Sequence, residues 1–283
     1  MPTYGITGAT GQLGRKVIAK LASKVPPEEL IAFARDPAKA AHLGVATRSA
    51  DYAELSGLVQ AFEGLHGLLF ISSSSMGTRQ AEHANVIEAA KRAGVRHIVY
   101  TSLLHAERWG IGFADDHLAT ERWLKESGLD FTILRNGWYW ENHTASLAQS
   151  LDHGGITSSA GHARISWASR QDYADAAVSV LTQEGHVGKT YELSGDRAYT
   201  LADIAAETAR QTGRVFCYRA LTEAEHAAFY EAAGLPKPLA AMLAEIDARG
   251  VAKGVLEGNG NTLSMLIGHP TTTLQDAVAA AIA

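Results

Sequence analysis

Gly8-Ala9-Thr10-Gly11-Gln12-Leu13-Gly14 is the first stretch whose residue types and spacing could do chemistry. Three glycines, three residues apart, stand after a short apolar run and before a helical pattern. The first permits a tight turn, the second lets backbone approach a pyrophosphate, and the third lets helix and strand pack closely. Free N–H groups and the positive end of the helix then face the anion. The motif is one residue wider at its start than Gly-x-Gly-x-x-Gly, and alone it would also suit a purely structural turn. Its place at the head of alternating strands and helices points to a dinucleotide. Arg35 and Asp36 end the second apolar run, where the adenosine ribose is read. An acid there pairs with the 2′-hydroxyl of NAD, whereas arginine suits the 2′-phosphate of NADP. Arg35 comes first, which favours NADP(H); the alternative leaves it a solvated charge. Asp36 reads as the N-cap of a short helix from Pro37. Asp51 either borders the adenine with Tyr52 or caps a helix near Ala53.

Reducing a ketone on such a scaffold calls for a positioned proton donor. Short-chain dehydrogenases use a Tyr-x-x-x-Lys pair on one helix face. The matching helix here reads His117-Leu118-Ala119-Thr120-Glu121, and Glu121 cannot depress a phenol's pKa as a cation would. The usual relay is absent, and no residue is singled out as a catalytic acid. Two readings follow: the chain only senses the redox state of its cofactor, or it reduces an acceptor that needs little acid catalysis. Quinones fit the second, because their reduced oxygens are weakly basic and the rate rests on bringing hydride donor and ring together. A solvated helix face is the plain alternative for His117 and Glu121.

Asn136-Gly137-Trp138-Tyr139-Trp140-Glu141-Asn142-His143 follows a strand's carboxyl end, where open α/β sheets place ligands. Its aromatics could wall a planar ring, or Trp138 and Trp140 could bury a lobe junction. Trp109, Phe113 and Trp140 look bulky for a substrate loop. His105 and Tyr100 are candidate donors to a quinone oxygen, and a ring stacked near Tyr139, His105 and Asn142 is the expected pose. Arg170 is either a cofactor contact or a salt-bridge partner, and Asp172 reads as an N-cap.

These residues need elements to hold them. Apolar runs at 3–7, 30–34, 67–72, 97–102 and 129–135, with a weaker one at 45–49, read as strands covered on both faces. Helical spacing falls at 12–23, 54–62, 79–93 and 116–127, with Gly94 and Gly128 as stops. The alternation implies βαβ units and a parallel Rossmann-type sheet with helices on both faces. Beyond Arg135 the order breaks into helices at 172–182, 200–211, 222–233 and 238–247, with short strands at 156–158 and 190–193. Residues 1–135 are thus expected to bind NADP(H), and 136–283 to form a smaller mixed α/β lobe on the substrate side. A segment near 165–195 is expected to return to the sheet edge.

Together, Ile6 to Gly14, Ser72-Ser73-Ser74, Tyr100 to Ala106, Leu134 to Tyr139 and Gly268 to Leu274 resemble the NmrA-like atypical short-chain dehydrogenases. The resemblance covers essentially the whole chain and runs to their quinone-reducing branch, with triphenylmethane reductases as near relatives. It implies quinone reduction with NADPH; reduction of a triphenylmethane-type dye is a further alternative. It also implies cofactor contacts from Gly8, Thr10, Gly11, Gln12, Leu13, Arg35, Ser73, Ser74, Ser75, Trp138, Tyr139, Trp140, Glu141, Asn142 and Arg170.

Composition narrows the classes. The 283 residues are 46% hydrophobic and carry a net charge of -5, which supports a sizeable core and argues against nucleic acid or a membrane surface as partner. Cys217 is the sole cysteine, so no internal disulfide or cysteine zinc site forms. The histidines show no metal-ligand spacing, and no metal is expected. With no signal peptide or membrane span in view, the expected setting is cytoplasmic. A homodimer is the assembly allowed for.

Overall fold

The fold is a computed structural model that describes residues 2–258 and 260–283. Its strands are β1 (Tyr4–Ile6), β2 (Leu30–Ala34), β3 (Ala46–Ser49), β4 (Gly67–Phe70), β5 (His97–Leu103), β6 (Asp130–Asn136), β7 (Gly155–Ser158), β8 (Thr190–Leu193) and β9 (Cys217–Ala220). Seven form one sheet in the order β3-β2-β1-β4-β5-β6-β8, parallel throughout, while β7 and β9 pair separately. The first helices are α1 (Gln12–Leu21), α2 (Leu55–Phe62), α3 (Arg79–Arg92), α4 (Gly112–Glu126), α5 (Glu141–Thr144) and α6 (Leu147–Ser150). Then come α7 (Arg170–Thr182), α8 (Leu201–Thr212), α9 (Glu223–Ala232), α10 (Lys237–Glu245), α11 (Thr262–Ile267) and α12 (Leu274–Ile282).

Side-chain alternation divides the strands between two cores. Leu30, Ala32 and Ala34 of β2 join Leu69, Val99 and Leu134 under α1 and α7, where Leu13, Val17, Ile18 and Leu21 form the buried stripe of α1. Ile31 and Phe33 point the other way and meet Phe70, Ile98, Tyr100 and Ile133, beneath α2, α3 and α4. This is the parallel sheet with helices on both faces that the alternation implies. Between the sheet, α1 and α11, α7 is buried from Asp172 to Leu181, which explains its run of small and apolar residues.

The second lobe packs around Trp109, Trp140, Trp167, Ile204, Phe216, Leu256 and Val278. Here the structure departs from the expected elements. β9 is exposed at three of its four residues and lacks alternation, so no strand signal marks it. The capping pair Thr273 and Asp276 announces α12 and was the usable signal for that helix. The helix expected over 238–247 ends at Glu245 and widens into a π turn, Ile246–Gly250. There Gly250 lies against the Trp109 ring: a Cβ would meet Cζ3 at 2.6 Å.

Candidate functional site

β1 delivers the chain into the glycine turn at the carboxyl edge of the sheet. Gly8 takes φ 58, in the left-handed region that favours glycine. Gly14 packs so closely on the turn that a Cβ would sit 2.8 Å from Ala9 Cα and nearer still to the Gly8 carbonyl. Gly11 is the N-cap of α1 without a side-chain cap, and no acid occupies the first turn. The opening N–H groups of α1 therefore lack a side-chain acceptor, and the helix's positive end faces outward. Leu13 turns its side chain into the core, so only its backbone is available here.

Gly8, Thr10 and Gly11 line a cleft of about 330 Å³ with Phe33 to Arg35, Ala50 to Tyr52, Ile71 to Ser75, and Glu82. Among the described residues no carboxylate lies within salt-bridge reach of Arg35. Asp36 accepts the Ala38 N–H at 3.1 Å, the expected cap, which leaves Arg35 free. Asp51 lines the cleft and accepts the Ala53 N–H at 3.0 Å in the turn before α2, whose N-cap is Glu54, which corrects Asp51 as the cap of that helix. The Tyr52 hydroxyl lies 2.5 Å from Thr7 Oγ1 and 2.9 Å from the Ile71 carbonyl, tying the floor of the cleft to β1 and to the end of β4. Burial raises that phenol's pKa, so it stays protonated.

The serine turn is held from behind by residues that sequence patterns did not single out. Ser72 N–H donates to Thr101 Oγ1 at 3.0 Å and Ser73 N–H to His83 Nε2 at 3.0 Å. With Nε2 accepting, neutral His83 carries its proton on Nδ1 and donates to Thr120 Oγ1 at 2.8 Å. Thr120 in turn donates to the Asp116 carbonyl at 2.7 Å. Burial, reinforced by the Arg79 charge, pushes His83 down to about 3. Burial works against ionisation of Glu82. The hydroxyls of Ser73, Thr78 and Ser75 and the charge of Arg35 outweigh it, holding Glu82 below the ordinary carboxylate value.

A second group gathers where the loop after β6 meets the start of α7. Arg170 Nη2 donates to Asn142 Oδ1 at 2.8 Å, and its guanidinium lies 4.7 Å from the centre of the Tyr139 ring. The Arg170 N–H donates to both Glu141 oxygens at 3.1 Å. Tyr139 meets Tyr173 edge-on at 5.1 Å, and burial raises its phenol pKa. Tyr139, Glu141, Asn142 and Arg170 thus stand together. Arg170 Nη1 lies 3.6 Å from Glu141 Oε2, the salt-bridge alternative, and it and the nearby Asn136 Oδ1, both buried, have no hydrogen-bond partner among the described residues. The α7 cap is Ser169, with Asp172 closing a capping box, which corrects Asp172 as the N-cap.

Other expectations fail on packing. The Trp140 side chain is buried, stacks on Trp167 at 4.9 Å and donates Nε1 to the Thr272 carbonyl, so it is committed to the second core and not open to a cofactor. Trp138 packs on Trp109 at 6.0 Å. Trp109 itself is buried with Nε1 on the Leu104 carbonyl, so neither it nor Trp140 walls a substrate loop. His105 adopts φ 49; its N–H donates to Glu192 at 2.9 Å and its Nδ1 to the Val255 carbonyl at 2.9 Å. Only Nε2 remains for a ligand.

His117 and Glu121 are not a solvated face. His117 is buried and shares a 2.8 Å hydrogen bond with the Tyr100 hydroxyl, while burial pushes the imidazole down to about 3 and the phenol up. Tyr100 is thereby also removed as a donor to substrate. Arg135 grips Glu121 with two 2.8 Å bonds, Ser102 adds a third at 2.6 Å, and Glu107 and Glu192 complete the arginine's shell. The helix positions of the missing Tyr/Lys pair therefore hold structure instead of a proton relay.

Residues 8–184 match the model of the NAD(P)H-binding family. The chain belongs to that family. It is 50% identical over 276 residues to quinone oxidoreductase 2 of Escherichia coli K12, covering 96% of each chain. The structure of an E. coli NADPH-dependent quinone oxidoreductase, solved with NADPH, aligns with TM-score 0.94 at 49% identity over 98% of this chain and 99% of that one. Citrobacter triphenylmethane reductase, solved with NADP(H), aligns at TM-score 0.94 and 36% identity over 99% and 100%. These relatives bear out the resemblance carried by the glycine turn and the central and C-terminal motifs. The family's dinucleotide fits the residues present: a cradle closed to a Cβ at Gly14, an uncapped helix start, and an unpaired arginine beyond β2.

Proposed function

We propose that this protein is an NADPH-dependent quinone reductase. The observation that carries the reading is the cleft itself, in which the uncapped start of α1 and the unpaired Arg35 share one wall at the carboxyl ends of the strands. Its relatedness to a quinone oxidoreductase supports the choice of acceptor. When bound, NADPH supplies a hydride, and one proton from solvent completes the hydroquinone.

The chain's own residues bind and orient. Backbone from Gly8 to Leu13 takes the pyrophosphate, with Thr10 and Gln12 at its rim, and Arg35 takes the 2′-phosphate. Ser73, Ser74 and Ser75, braced by His83, border the nicotinamide ribose. Tyr139, Glu141, Asn142 and Arg170, with backbone of Trp138 and Trp140, line the nicotinamide end. Asn136 Oδ1 has no hydrogen-bond partner there among the described residues, and Arg170 Nη1 has only the Glu141 carboxylate at 3.6 Å. Tyr139, kept protonated by burial, donates a hydrogen bond to the acceptor; His105, its ring proton held on Nδ1 by the Val255 carbonyl, leaves Nε2 as an acceptor and is set aside as a donor. Positioning carries the rate, since a hydroquinone oxygen needs no strong acid. Residues 1–135 supply the cofactor side and 136–283 mainly the acceptor side, with 165–195 returning to the sheet. We place the enzyme in the cytoplasm, where the exposed Cys217 thiol stays reduced. Light scattering tests the homodimer.

The decisive assay follows NADPH oxidation with a panel of benzoquinones, naphthoquinones and a triphenylmethane dye. Quinone turnover is expected. Tight NADPH binding without turnover of any acceptor would leave the protein a redox sensor.

A further inference from the structure

We infer that Glu82 sets how strongly this chain prefers a 2′-phosphorylated dinucleotide, by opposing the charge that Arg35 offers. The inference rests on the NADPH reading above. The charged residues lining the cleft are Arg35, Asp51 and Glu82, so a single cation shares it with two carboxylates. Asp51 is occupied by the Ala53 N–H at 3.0 Å. Glu82 stands in the first turn of α3 with one oxygen held by the Thr78 hydroxyl at 2.8 Å. Its neighbour His83 is locked beneath the serine turn on Ser73 N–H and Thr120. The backbone at 82–83 is therefore pinned, and the Thr78 hydroxyl holds one carboxylate oxygen at the cleft lining.

Glu82 and Arg35 form no ion pair, yet they act on one another through the cleft, and the carboxylate is kept ionised partly by that charge. A group close enough to feel Arg35 is also close to whatever Arg35 holds. NADPH differs from NADH by a phosphate of about −1.5 to −2 charges near neutral pH. Repulsion from Glu82 therefore falls harder on NADPH, while the pyrophosphate common to both ligands cancels in the comparison. Salt screens the effect.

The test is calorimetric binding of NADPH, NADH, 2′,5′-ADP and 5′-AMP to the wild type and to Glu82→Gln, which keeps an acceptor for Thr78. NADPH and 2′,5′-ADP are expected to bind about threefold to tenfold tighter to the variant, as one anion–anion repulsion across a solvated cleft implies. NADH and 5′-AMP should change by less than about twofold, and the gain should shrink at high salt. Equal shifts for both ligand pairs would overturn the inference, because Glu82 would then act on the shared part of the ligand. Weaker binding of all four would overturn it too, showing Glu82 to be a support of the turn. Glu82→Ala carries the same comparison should the glutamine variant misfold. A wild type that binds neither dinucleotide takes down the cofactor reading and this inference together; selective failure in the variant sinks this one alone.

Discussion

Arg35 carries a permanent charge beside the cleft, with no carboxylate in salt-bridge reach among the described residues. Charge-assisted hydrogen bonds to phosphate contribute about 1.5–3 kcal/mol, so Arg35→Ala should weaken NADPH roughly tenfold to a hundredfold. NADH should hardly respond, and calorimetry with both ligands checks the difference. This part of the site was legible because its chemistry is local: glycines three apart, then an arginine at a strand's end. Asp36 was legible for the same reason, since a cap bonds two residues away. His83 was not. Its partners Ser73 and Thr120 lie 10 and 37 residues off, and only the folded sheet brings them together. Trp140 misled for a related reason, because an indole can serve a ligand or a core and sequence does not say which lobe will close over it.

At the scale of elements, α4 is fastened to the sheet by charge. Glu121 is 2% exposed and answers Arg135 on β6, which also reaches Glu192 on β8. Removing one partner of a buried pair strands the other's charge, which typically destabilises by about 3–5 kcal/mol. Arg135 keeps Glu107 and Glu192, so Glu121→Ala should lower the free energy of unfolding by less than that, about 1–3 kcal/mol, read from denaturant midpoints, while NADPH affinity in the folded fraction stays near wild type. The strands and helices of the first lobe could be read because both faces of the sheet are covered, giving continuous apolar runs and striped helices. In the second lobe β7, α8, α9 and α10 were read from their spacing. β9, exposed at three of its four residues, was not, nor were the short α5 and α6, placed by packing around three tryptophans, and α11, placed by packing on α7.

For the whole molecule, acid is the clearest stress. Burial pushes His83 and His117 down to about 3 and His143 down to about 4. In an unfolded chain each titrates near pH 6.5. Between those values the unfolded chain takes up protons that the folded one refuses, so stability is full above about pH 6.5 and falls as pH drops. The slope is up to about 1.4 kcal/mol per pH unit for each histidine. Asp247, pushed up to about 6 by burial, works in the opposite sense, and offsets His226, pushed down to about 4. Unfolding free energy should therefore be several kcal/mol lower near pH 5 than near pH 7.5; a flat profile would mean these rings are wet.

The order of the sheet has one more outcome. β8 and α7 complete the first lobe, yet the chain supplies both only after it has begun building the second. Scissors applied after residue 135 would not liberate a smaller nucleotide binder. They would strip the cover from Leu13, Val17, Ile18 and Leu21 and leave an oily flank that clumps. The ribosome must have made nearly two hundred residues before the dinucleotide-binding half can close, so the two halves are obliged to mature together.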